Sequence, residues 1–104
     1  MRERQVKILE SAEQDLDDIA DWLADTVSER KAIDFIQRIR RRVDSLTYAA
    51  ERGTLRKQAP NLRIIGLMRY VDVAFVVDGD MVVVHRFLYH GRNFIQSSEW
   101  DAES

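Results

Sequence analysis

Cysteine is absent from this 104-residue sequence, which removes disulfides, thiolate nucleophiles and cysteine-held metal centres from consideration. Its absence suits a reducing cytoplasm, the location expected here. A single proline, Pro60, and four glycines leave little material for linkers. One tightly written domain is therefore expected over 1–95, followed by an acidic tail over 96–104. No run of about 18 apolar residues occurs, so no membrane-spanning helix is expected. The opening MRERQVKILE has charges but no apolar stretch of the kind a secretion signal needs. A glycine-rich phosphate loop, a G-x-S-x-G elbow and an H-E-x-x-H pair are also missing. Nucleophilic catalysis has no positive sign, and no cofactor is expected.

A strongly basic balance is missing too. The net charge is −2, whereas a dedicated binder of phosphate backbones needs a cation for each phosphate it neutralises. The distribution is uneven. Residues 1–51 hold nine lysines and arginines against twelve acids, residues 52–98 seven against three, and the tail from Glu99 three acids alone. The second half can present a modest positive surface.

The chain is 45% hydrophobic, enough for a single core, and its pattern changes once. QVKIL at 5–9 reads as a short strand. SAEQ at 11–14 has the form of a capping box, in which Ser11 caps a helix and Gln14 reaches back. Ala12, Leu16, Ile19, Ala20, Leu23 and Val27 then form one apolar stripe, with Asp15, Asp17, Asp18, Asp21 and Asp25 on a solvated face. Ser28 is placed to cap a second helix, whose stripe runs through Ala32, Phe35, Ile36, Ile39, Val43 and Leu46 to Ala50, with Gly53 as its stop. A short connection makes the two helices an antiparallel hairpin. After Pro60 the apolar period falls to about two. LRIIGL (62–67), RYVDVAFVV (69–77) and MVVVHRFLY (81–89) read as strands, and DGD at 78–80 as a hairpin turn. The expected fold is α+β: a strand and a helix hairpin packed on an antiparallel sheet, in the order β-α-α-β-β-β.

His85 and His90 lie five residues apart, which in a regular strand aims them at opposite faces and argues against a shared metal. Arg63, Arg69, Tyr70, Arg86, Tyr89, His90, Arg92 and Asn93 remain as large polar groups on strands or strand ends. Arginine and tyrosine are the side chains that dominate interface hot spots, although charged residues also guard sheet edges against aggregation.

Four of these pieces together resemble the RelE/ParE superfamily of toxins from toxin–antitoxin operons. SAEQDLDDIADWL resembles its first helix, A-x-x-D-L-x-x-I, through Ala12, Asp15, Leu16 and Ile19. IDFIQRIRRRVDSLTYAAERG resembles its second, and LRIIGLMRY its L-R-x-x-x-x-x-R-Y segment, through Leu62, Arg63, Arg69 and Tyr70. RFLYHGRN resembles the closing R-x-x-x-x-G-R-[DN], through Arg86, Gly91, Arg92 and Asn93. One branch of that superfamily cuts mRNA on the ribosome without a metal, and the other, ParE-like, is described as poisoning DNA gyrase.

Where nuclease members often carry an arginine after the strand tyrosine, Tyr70 is followed by Val71, and no tyrosine occurs after Arg92. Ala74 stands where a second strand aromatic is common. The resemblance therefore implies a ParE-like toxin that inhibits gyrase by binding and is neutralised by a ParD-like antitoxin in a hetero-oligomer. Target or partner contacts are expected from Arg63, Arg69, Tyr70, Arg86, Tyr89, Arg92 and Asn93, and an antitoxin groove from Phe35, Ile39 and Arg42. The alternatives are a metal-independent endoribonuclease using Arg63, Arg69, His90 and Arg92, or a partner-binding scaffold without toxicity.

Overall fold

The computed structural model describes residues 5–46, 54–55 and 61–91. Chain order gives β1 (Gln5–Ile8), α1 (Glu10–Thr26), α2 (Glu29–Asp44), β2 (Thr54–Leu55), β3 (Leu62–Met68), β4 (Val71–Asp78) and β5 (Met81–Tyr89). The expected α+β order is therefore present, with a two-residue strand added. No helix among the described residues is long and apolar enough to cross a membrane.

Both helices follow their apolar stripes. Ala12, Leu16, Ile19 and Leu23 of α1 and Ala32, Phe35, Ile39 and Val43 of α2 are buried in one core, where Leu46 joins them. Each large side chain so buried contributes about 1.5–3 kcal/mol. The Arg40–Glu13 ion pair across the hairpin spans 3.0 Å with both side chains about half exposed, 48% and 44%. An exposed pair of that kind contributes only about 0–1 kcal/mol. Apolar burial, then, holds the hairpin. Ser28 caps α2 as expected, its Oγ accepting from the Lys31 amide at 3.1 Å. The helix ends at Asp44 with Ser45 as its C-cap, short of the end expected at Ala50 and Gly53, two residues that lie outside the described ones.

The strands form one five-stranded sheet in the order β1-β5-β4-β3-β2. The β3-β4-β5 meander is antiparallel as expected, but the sheet is mixed, because β1 pairs parallel with β5 (Gln5 opposite Met81, Ile8 opposite Val84). A strand that enters a helix hairpin and rejoins the sheet after an antiparallel meander is free to take either direction. Strand periodicity carries no mark of which.

Successive rows across the sheet alternate between its two faces. The rows Ile8–Val84–Phe75, Phe87–Val73–Ile65 and Tyr89–Val71–Met68 face the helices and belong to, or pack on, the core. The rows Lys7–Val83–Val76–Leu62 and Arg86–Ala74–Ile64 lie between them, on the opposite face; Ala74 is buried there, and none of these residues belongs to the core cluster under the helices. No described element covers that face.

Two irregularities set the register. One lies between Gly66 and Met68. The other inserts His85 into β5, since Ala74 pairs with Arg86 and Phe75 with Val84. The departure noted at Ala74 is thus the site of a β-bulge, and β5 is not a regular strand through His85. The odd spacing of His85 and His90 cannot be read as opposite faces. What parts them is distance, about 16 Å for five residues of strand.

Candidate interaction site

β1 ends at Ile8, so only the first half of β5 has a strand on that side. The second half is met by α1. The Leu9 amide donates to the Val84 carbonyl at 3.0 Å. Ser11 Oγ donates to the His85 carbonyl at 2.8 Å, and Asp15 Oδ2 accepts from the Phe87 amide at 3.0 Å. Helix side chains thereby continue a ladder that the strand has left, satisfying backbone groups that would otherwise cost free energy when buried.

Two expectations are corrected here. Ser11 is not a cap: the N-cap is Leu9, which makes no side-chain cap bond, and Ser11 is taken up by β5. Gln14 Nε2 donates to Asp18 Oδ1 at 3.0 Å rather than reaching back. Asp15 likewise departs from the solvated acidic face. It also grips Arg86, accepting from Nε at 2.7 Å and from Nη2 at 2.8 Å, a two-point fork–fork pair. That hydrogen bond, with the Asp15 charge behind it, raises the Arg86 pKa above its already high ordinary value. Arg86, expected at a partner surface, is therefore engaged within its own chain, although its side chain stays 56% exposed.

At the far end of β5 a second cluster forms around the Arg69–Tyr70 turn. Tyr70 has φ 73°, the one non-glycine residue with positive φ among those described. A bulky residue in that region costs roughly 1–2 kcal/mol against its ordinary conformations. Its carbonyl accepts from the His90 amide at 2.8 Å, and the Arg69 guanidinium lies 4.9 Å from the Tyr70 ring centroid. His90 Nε2 stands 2.9 Å from Asp72 Oδ2. Gly66 is the register partner of Asp72, and a methyl group there would stand in ordinary contact with Asp72 Oδ1, at 3.7 Å. Arg63 is elsewhere: its register partner is Phe75, so it lies on the helix-facing row, about 20 Å along β3 from Arg69. Arg92 and Asn93 lie outside the described residues, as does the tail.

Among the expected groove residues, Phe35 is 2% and Ile39 0% exposed. Both are core, and only Arg42 of that trio is on the surface. Tyr89 is half-buried, its ring edge-on to Trp22 at 5.7 Å and to Phe35 at 5.9 Å. The outer side of the hairpin offers a different apolar strip. Ile33, 51% exposed, is the one large hydrophobic so exposed among the described residues. The Arg40–Glu13 pair fixes the hairpin's register; counting helical turns from it places Ala20 opposite Ile33, with Ala24 and half-buried Ile36 close by. Sequence reading passed Ile33 over because it interrupts a polar stretch and belongs to no stripe. Among the described residues no cluster of three or more His, Asp or Glu could hold a metal ion.

Comparisons with known proteins agree with this architecture. Residues 6–94 match the family model for the ParE toxin of the type II toxin–antitoxin system parDE. Nothing among curated proteins matches the chain. Among solved structures it is similar to a chain of the chromosomal ParDE TA system from P. aeruginosa, at 25% identity and a TM-score of 0.73, covering 83% of this chain and 95% of that one. With the match spanning the sheet, both helices and the bulged last strand, the chain belongs to the ParE toxin family of type II toxin–antitoxin systems.

Proposed function

We propose that this toxin arrests growth by binding a protein target, DNA gyrase, rather than by cutting RNA, and that a ParD-like antitoxin neutralises it. One observation carries the choice: among the described residues, the cations a metal-free nuclease would need do not converge. Cleaving a phosphodiester requires a base and several positive groups within a few ångströms of one phosphate. Arg63 and Arg69 are about 20 Å apart along β3 and Arg63 faces the helices. Arg86 is held by Asp15, and His90 stands against Asp72.

The antitoxin is assigned to the outer side of the helix hairpin. There Ala20, Ala24, Ile33 and Ile36 make an apolar strip flanked by Asp17 and Asp21 on α1 and by Arg30 and Arg40 on α2. An amphipathic antitoxin helix fits such a strip. Arg69 with Tyr70, and Arg92 with Asn93, are assigned to the target.

The test is purified gyrase with supercoiled plasmid, run beside a ribosome-dependent mRNA cleavage assay. Inhibited supercoiling with trapped, cleaved DNA and intact mRNA is expected. Cleaved mRNA without any effect on gyrase would overturn the reading. Inactivity in both assays would move the chain to another target or to a scaffold role.

A further inference from the structure

Among the described residues, the outer edge of β5 beyond Val84 is held by side chains of α1 rather than by a strand. The change of support falls at the His85 bulge. Asp15 is the centre of the new support. Its side chain is only 11% exposed and accepts from the Phe87 amide, from Arg86 Nε and from Arg86 Nη2. Stability alone gives little reason for such a fork on a strand end where Arg86 stays 56% exposed, since an exposed ion pair contributes only about 0–1 kcal/mol. What a two-point pair adds is fixed orientation.

The contacts run on from there. Three residues past Phe87, the His90 amide donates to the Tyr70 carbonyl at 2.8 Å, and the His90 ring stands 2.9 Å from Asp72 Oδ2. The Tyr70 ring packs on the core. Carbonyl and ring are thus both held while φ stays at 73°, and the Arg69 guanidinium lies 4.9 Å from the ring centroid. Strain of this kind persists only where the surrounding structure over-determines it, and it clusters at functional sites.

From this we infer that Asp15 is a positioning residue for the toxin's action. By fixing the end of β5 it fixes the Arg69–Tyr70 turn in the shape that the target meets. Asp15 touches no target itself. The inference rests on the reading that assigns this turn to a protein target, and it adds the residue that holds the turn in place.

The test compares the full-length parent with Asp15→Ala and Arg86→Gln. Growth arrest is measured on expression, and amide proton–nitrogen NMR spectra are recorded at a temperature where circular dichroism shows each chain folded. In Asp15→Ala the Tyr70 and His90 cross-peaks should move or broaden while that of Gly79, at the other end of β5, stays in place, and growth arrest should be lost. A mere loss of stability leaves the native positions of distant cross-peaks unchanged. In Arg86→Gln, where Asp15 still accepts from the Phe87 amide, the same cross-peaks should move less and growth arrest should weaken.

An Asp15→Ala chain as toxic as the parent would overturn the inference and leave the toxin reading intact. Tyr70 and His90 cross-peaks unmoved in both variants would also overturn it, because any lost toxicity would then come from stability or from Arg86 touching the target directly. Should Asp15→Ala fail to fold, Arg86→Gln decides alone, and undiminished toxicity or unmoved cross-peaks there would sink the idea. A parent chain that leaves growth untouched would remove the toxin reading, and this role with it.

Discussion

Asp15 and Arg86, 71 positions apart in the chain, are joined by two hydrogen bonds of 2.7 and 2.8 Å. The same carboxylate also accepts from the Phe87 amide. One acid on α1 thus fastens the half of β5 that β1 leaves unpaired, and it does so at the strand leading into the Arg69–Tyr70–His90 cluster.

Asp15→Ala should lower unfolding stability by about 1–3 kcal/mol, because a backbone amide and a guanidinium both lose their acceptor. Arg86→Ala should cost less, since Asp15 keeps the amide. In the Asp15→Ala background Arg86→Ala should add little, as neighbours in one network are not additive. Urea unfolding of the three variants measures this. Full additivity would show that the pair does not act as a unit.

Ser11 and Ser28 separate two roles that look alike in sequence. Ser28→Ala should cost about 0.5–2 kcal/mol through loss of a cap, and Ser28→Asp should be nearly neutral. Ser11→Asp should instead destabilise, because an ionised carboxylate cannot donate to the His85 carbonyl it would face. Neutral behaviour of Ser11→Asp in thermal melting would return Ser11 to a capping role.

Phe35→Ala should cost about 3–5 kcal/mol and Ile39→Ala about 2–5, both as core losses. Ile33→Ser, by contrast, should change stability by less than about 0.5 kcal/mol while weakening the complex with antitoxin. Calorimetric titration of refolded variants distinguishes the two effects. An Ile33→Ser variant that binds antitoxin as tightly as the parent would remove the hairpin strip from the interface.

Gly79 turns the β4–β5 hairpin at φ 57°, and a methyl group there would touch nothing within 4 Å. Gly79→Ala should therefore cost about 1–2 kcal/mol, from backbone conformation alone. Equilibrium unfolding gives the number, and a much larger loss would point to a contact the turn does not display.

Much of this molecule is written locally. The stripes of α1 and α2, the Ser28 cap, the Asp78-Gly79-Asp80 turn and the three long strands depend on neighbours two to four residues away, and spacing alone determines them. The fold class follows from their order. Family resemblance, too, sits in short segments, and several of its residues are structural: Asp15 and Arg86 belong to two of those segments and meet each other.

What tertiary structure decided involves partners far apart in the chain. That β1 runs parallel to β5, that Ser11 serves a carbonyl 74 residues away rather than its own helix, and that His85 is the extra residue of a bulge leave no periodic mark. Nor could spacing tell which apolar residues would face nothing. Val82 and Val83 are alike in sequence, yet one lies in the core and the other on the opposite face, because the described helices lie on only one side of the sheet.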